Sequence, residues 1–260
     1  MNDTNMTTTA AQTITSAANP RLKALRKLAR KRERERRGCF AAEGEDLLAA
    51  AERNGVQALE GFRLAGSRAG GASFHDVSAD ALAASSALGS GARAIGVYAQ
   101  RWSAPAGPLC VYLHAVSDPG NVGTVIRAAE AFGASCVALG PECADPYSPK
   151  AVRASMGAIF AVALARVDDV RELPGERVAL KTDAPEALEE SVSALQPPCT
   201  LLVGSEREGL PVEVVQACER SARIPIASQS LNAAMAATIA LYEVTRGASF
   251  ASPSSRVRTS

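Results

Sequence analysis

Three polar, glycine-bearing segments in the second half of this 260-residue chain hold the residue types that could do chemistry. The first, Asp118-Pro119-Gly120-Asn121, reads as a tight turn, followed by a helix expected to start near Val122 with Arg127 one to two turns in. A guanidinium there stays charged and offers a planar fork suited to a phosphate. The second, Leu201-Leu202-Val203-Gly204-Ser205-Glu206, is a buried strand that stops at a glycine and delivers a carboxylate into a loop. The third runs from Arg223-Ile224-Pro225 to Leu231-Asn232 and feeds a helix of small residues, with the Asn232 amide in its first turn. Taken singly each is an ordinary structural feature, since arginines snorkel, loop carboxylates cap and asparagines start helices.

Other chemistries lack their residues. There is no Walker A pattern, and the relaxed dinucleotide fingerprint Gly89-Ser90-Gly91-Ala92-Arg93-Ala94 precedes a strand when it should follow one and open a helix. Two histidines, His75 and His114, support neither a Ser/His/Asp triad nor a zinc site, and no nucleophile elbow is present. The six cysteines form no CxxC pair and most lie in apolar runs, which reads as core packing in a reducing compartment. No metal site is expected.

The net charge of +1 conceals a strong asymmetry. Residues 21 to 37 hold ten Lys/Arg against Glu33 and Glu35, a local charge of +8 that leaves −7 on the rest. Such a block is the electrostatic footprint of a polyanion partner, or else a solvated helix face. Leu22, Leu25 and Leu28 recur at spacing three, so one helix with a buried stripe and a cationic face is expected.

The elements that must position these groups alternate short apolar runs with helical stretches, an α/β pattern. In the first half a helix at 44–54, a strand at 56–64, a helix at 79–88 and a strand at 93–99 follow the basic helix. The second half shows strands at 109–116, 135–139, 161–167, 178–181 and 200–203, with helices at 122–132, 150–160, 212–221 and 231–246. That order predicts a largely parallel sheet buried on both faces, with ligands at the strands' carboxyl ends. The last helix is small and apolar nearly all round, suited to a core or a subunit interface. A first domain over 13–102, a Pro/Gly linker over 103–108, a second domain over 109–248 and disordered tails at 1–12 and 249–260 complete the expected organisation. No stretch is long and apolar enough to span a membrane, and the first residues carry no signal-peptide pattern, so a cytoplasmic protein is expected.

In this order the three segments resemble the motifs of the SpoU/TrmH family of RNA ribose 2′-O-methyltransferases, in the SPOUT superfamily. The stretch Ser148-Pro149-Lys150-Ala151-Val152-Arg153-Ala154-Ser155-Met156-Gly157 is similar to the family's linking segment. Asn19-Pro20 and Phe40-Ala41-Ala42-Glu43-Gly44 resemble its small substrate-binding domain. The sequence departs from the family pattern at Arg207, where glycine is frequent, and in a shortened interval from Ile224 to Leu231.

The resemblance implies a small N-terminal α/β RNA-binding domain followed by a trefoil-knotted α/β methyltransferase domain. It implies S-adenosylmethionine as donor, against Gly204, Ile224 and Leu231, with Arg127 as the central catalytic residue and Asn121, Glu206 and Asn232 positioning it or the ribose. Arg26, Lys27, Arg30, Arg34 and Arg153 are the expected RNA contacts. A homodimer acting on ribosomal RNA before transfer RNA is the expected assembly and substrate. A transfer-RNA methylase, an antibiotic-resistance ribosome methylase and a non-enzymatic RNA-binding protein are the competing readings.

Overall fold

The computed structural model describes residues 13–71, 73–227 and 230–246, so the two expected tails lie outside the described residues. The chain divides into two compact units, residues up to Ala99 and residues from Gln100.

In the first unit the described elements are α1 (Pro20–Lys27), α2 (Lys31–Arg37), β1 (Cys39–Glu43), α3 (Glu45–Arg53), β2 (Glu60–Leu64), β3 (Phe74–Val77), α4 (Ala79–Ala83) and β4 (Ala94–Ala99). The strands form one sheet in the order β1-β4-β2-β3, parallel at β2/β3 and antiparallel elsewhere. Leu22, Leu25 and Leu28 are buried together with Phe62, Val77 and Ile95. Each contributes on the order of 1.5–3 kcal/mol by leaving water.

The single basic helix expected over 21–37 is two helices. The apolar stripe ends at Leu28, because the next positions on that face, Arg32 and Glu35, are charged and cannot continue it. The chain turns at Leu28–Arg30, and Arg34 of α2 folds inward, donating to the carbonyls of Leu28 (2.8 Å) and Ala29 (2.9 Å). Arg34 therefore satisfies carbonyls left open where α1 ends. Strands β1 and β3 were not expected, since Cys39–Glu43 and Phe74–Val77 are short and mix polar with apolar residues. Helix α4 is also shorter than the expected 79–88.

The second unit holds β5 (Leu109–Leu113), α5 (Pro119–Ala131), β6 (Cys136–Leu139), α6 (Pro149–Ala154), β7 (Ala163–Arg166), β8 (Glu176–Leu180), β9 (Glu186–Ala187), α7 (Leu188–Ser193), β10 (Cys199–Val203), α8 (Val212–Gln216), β11 (Arg220–Arg223) and α9 (Ala233–Arg246). Its sheet runs β7-β6-β5-β10-β8-β11-β9, and every pairing is parallel. The central strands β5 and β10 are buried at every position, which fits their apolar runs; the one polar residue, Thr200, donates its hydroxyl to the Pro174 carbonyl (2.8 Å). The expected parallel sheet is present; β11 and β9 were missed because Arg220-Ser221-Ala222-Arg223 and a two-residue strand carry no apolar signal.

Helix α5 begins three residues earlier than expected. Asp118 caps it, accepting from the Asn121 amide (3.0 Å), and Pro119 occupies the first turn. Gly123 lets α5 and α6 meet, since a Cβ there would lie 2.3 Å from the Ala151 carbonyl oxygen. The helix expected over 150–160 stops at Ala154 and gives way to a 3-10 turn at Ala158–Phe160. Helix α8 likewise ends early, at Gln216.

Residues 101–103 belong to the second unit. The Ser103 amide donates to Leu164 (2.9 Å), and the Trp102 ring meets Tyr147 edge-on and carries the Arg166 guanidinium 4.1 Å from its centre. No described helix is long and apolar enough to cross a membrane.

Candidate functional site

Parallel pairing brings the carboxyl ends of β8, β10 and β11 to one edge of the second unit, where three loops leave the sheet. The loop after β10 is held very tightly. A Cβ on Gly204 would come within 2.1 Å of the Gly209 backbone, and the Gly209 amide donates to the Ser205 carbonyl at 3.0 Å. Gly209 turns with φ +69°, and Ser205 Oγ accepts from the Glu208 amide (3.2 Å). Gly204 thus allows a close approach of backbone to backbone that no side chain would permit.

This loop projects Glu206. Its Oε1 accepts from Asn121 Nδ2 (2.6 Å) and from the Ala233 amide (3.3 Å). Asn121 Oδ1 in turn accepts from Asn232 Nδ2 (3.0 Å). Asn232 stands just before α9 and caps it, its Oδ1 accepting from the amides of Ala234 (2.9 Å) and Met235 (3.2 Å). The expected placement inside the first turn is corrected to a capping position. One chain of hydrogen bonds therefore joins the three segments singled out in the sequence.

Beside this chain lies a cavity of about 600 Å³. Gly204, Ile224 and Leu231 all line it, with Leu180, Val203, Leu210 and Ile226 completing an apolar part. Its polar part is supplied by Lys181, Thr182, Asp183, Glu206, Arg207 and Glu208. The loop after β8 was missed in the sequence, although Thr182-Asp183-Ala184-Pro185 directly after a strand is a turn signal at a carboxyl end. Arg223 pins that loop by donating to the carbonyls of Ala184 (2.8 Å) and Pro185.

Arg127 is not part of the hydrogen-bond chain. It lies on the exposed stripe of α5 with Thr124 and Ala131, and it makes no hydrogen bond or ion pair among the described residues. At the start of the same helix Asp118 pairs with Lys150 Nζ (2.7 Å). That hydrogen bond, then the Asn121 amide, holds the Asp118 carboxyl below its ordinary range. Arg153 is exposed on α6.

Of the expected RNA contacts in the first unit, Lys27 and Arg30 are exposed and Arg26 is half-buried. Arg34 is 3% exposed and does structural work, so it is withdrawn from the set. The cysteines are free, and burial pushes Cys199 up to about 12 and Cys218 up to about 11, so these thiols stay protonated and unreactive.

Residues 108–242 match the SpoU rRNA Methylase family, and residues 19–86 match the MRM3-like substrate binding domain. The chain is 31% identical over 255 residues to an uncharacterized tRNA/rRNA methyltransferase of Synechocystis sp., covering 90% of this chain and 93% of that one. It is 29% identical over 248 residues to the 23S rRNA guanosine 2′-O-methyltransferase RlmP of Bacillus subtilis, covering 89% and 98%. Among solved structures it resembles the AdoMet-bound rRNA methyltransferase from Sinorhizobium meliloti, with TM-score 0.81, 32% identity and coverage of 90% and 97%. It also resembles the SpoU methyltransferase AviRb from Streptomyces viridochromogenes in complex with AdoMet, with TM-score 0.77, 25% identity and coverage of 88% and 97%.

Proposed function

The chain belongs to the SpoU rRNA methylase family, and from that premise we propose that it methylates a ribose 2′ hydroxyl of structured RNA, ribosomal RNA before transfer RNA, with S-adenosylmethionine as donor. The observation that carries this reading is the hydrogen-bond chain Glu206–Asn121–Asn232 beside a cavity of about 600 Å³. The cavity volume falls within the roughly 300–1,000 Å³ usual for small-molecule sites. A lining that holds both apolar side chains and carboxylates suits a donor with a flat adenine and a cationic sulfonium.

Ile224 and Leu231 would pack against the adenine, and Gly204 would hold the loop that closes over it. When bound, the donor would supply a methyl group from its sulfonium to the ribose oxygen, leaving a neutral thioether, with the hydroxyl proton passing to water. Arg127, free on the exposed face of α5, would clamp the phosphate beside the target ribose and polarise its hydroxyl. A guanidinium is a poor base, so the clamp is the role it can fill. Asn121 and Asn232 would act as positioning residues held by Glu206. Lys27, Arg30 and Arg153 would supply phosphate affinity that depends on charge more than sequence.

Three further features belong to this reading. Met235 and Tyr242 are exposed on one face of α9, which suits a homodimer built on that helix. The return of the chain from β11 to α9, packed on α5, is read as the threading of a trefoil knot. The six free cysteines suit a cytoplasmic protein. Preference for ribosomal RNA rests on relatives named for it.

Incubation of the pure protein with methyl-labelled donor and, separately, ribosomal subunits, naked ribosomal RNA and transfer RNA tests the proposal. Label in ribosomal RNA at an alkali-resistant dinucleotide is the expected result. Label in transfer RNA alone would move the substrate, and binding without label in any pool would favour the non-enzymatic reading.

A further inference from the structure

The polar part of the cavity is not evenly charged. Three carboxylates line it, Asp183, Glu206 and Glu208, against two cations, Lys181 and Arg207. Lys181 Nζ lies 3.3 Å from Asp183, and Glu206 is engaged by Asn121 and the Ala233 amide. Arg207 makes no hydrogen bond or ion pair among the described residues, although it stands in a loop whose backbone is fixed at both ends. A free guanidinium on a rigid loop, in a wall otherwise dominated by carboxylates, is arranged to receive an anion that enters the cavity.

We propose that Arg207 binds the carboxylate of the donor's methionine tail and so selects donors that carry one. The inference rests on the donor assignment made above. With adenine against apolar side chains of the lining, the tail is left to the polar ones, where its ammonium and sulfonium suit Asp183 and Glu208 and its carboxylate suits Arg207, the lining cation without a partner among the described residues. Arg207 is a binding residue in this scheme and takes no part in proton removal.

Calorimetry with two ligands that differ only in the carboxylate tests this: S-adenosylhomocysteine and its decarboxylated analogue, 5′-(3-aminopropylthio)-5′-deoxyadenosine. Arg207→Ala is expected to weaken S-adenosylhomocysteine about tenfold, as loss of a charge-assisted contact does, and to leave the analogue within about twofold. Arg207→Lys is expected to recover part of the loss, and an unchanged melting temperature shows that the loop survives. Equal weakening of both ligands, or of neither, would overturn the assignment. So would intact affinity for S-adenosylhomocysteine with a flatter salt dependence of RNA binding, which would make Arg207 an RNA contact. Failure of the unsubstituted protein to bind either ligand would overturn the donor reading itself and this inference with it.

Discussion

In the first unit ten cations crowd residues 21 to 37 and only Arg34 is turned fully inward, whereas the second unit gathers the polar groups of its candidate site from distant segments. Asn121 meets Glu206 across 85 positions of sequence and Asn232 across 111. The first arrangement is a surface charge density in which exposed members can substitute for one another. The second is a single connected network in which each atom has one place. Losses should therefore be graded and additive in the first unit, and abrupt and coupled in the second.

The largest expected effect is at Arg127. Arg127→Ala should lower the single-turnover methylation rate by about 10²–10⁴ at saturating donor and RNA while leaving donor affinity and melting temperature nearly unchanged. Arg127→Lys should not restore the rate, because an ammonium cannot present the planar fork. A near-normal rate in Arg127→Ala would move the central role to Asn121 or Asn232.

Gly204→Val comes next, and it tests whether the network depends on one close backbone approach. The added side chain must displace the Gly209 backbone, so about 1–3 kcal/mol of stability should be lost on denaturant unfolding. Donor affinity should fall with it, because Glu206 leaves with the loop. Full calorimetric affinity in a folded Gly204→Val protein would show that the loop tolerates the shift.

The charge density of the first unit is probed by contrast. Neutralising Lys27, Arg30 and Arg32 together should flatten the slope of log K against log salt for RNA binding by roughly two to three, with stability and donor affinity unchanged. Arg34→Ala should instead cost about 2 kcal/mol of stability through loss of its bonds to the Leu28 and Ala29 carbonyls, with little change in that slope. An unchanged slope in the triple variant would mean that these cations are only solvated.

The smallest effect concerns a charge fixed by its partner in the second unit. Arg177 grips Glu219 through its side chain and its amide (2.7 Å), which pulls the carboxyl down to about 2. A depressed carboxyl contributes stability above its ordinary value of about 4.3 and loses it as pH falls toward 2. Glu219→Gln should cost less than about 1 kcal/mol of stability at pH 7, given the solvent exposure of Glu219, read as a slightly lower melting temperature, and the difference should close between about pH 4 and pH 2. A difference that persists unchanged at pH 2 would remove the ion pair as its cause.

The amino-acid sequence by itself determined the α/β class, the parallel sheet, the buried strands β5 and β10, the cationic block and the identity of the three site segments. These follow from composition, periodicity and residue type, which are local properties. Gly204, Ile224 and Leu231 were grouped by the resemblance to a known family, and the three line one cavity.

What the tertiary structure decided is which atoms meet. The break between α1 and α2 and the burial of Arg34 depend on carbonyls left open at a helix end, and nothing in a run of arginines distinguishes the one that turns inward. The hydrogen bonds among Asn121, Glu206 and Asn232 depend on strand order, since β10 inserts between β5 and β8 and so carries its loop next to α5. The same insertion makes Gly204 a point of contact between backbones and leaves Arg207 free at the cavity. Strand order is set by burial summed over the whole sheet, a sum that no single segment contains.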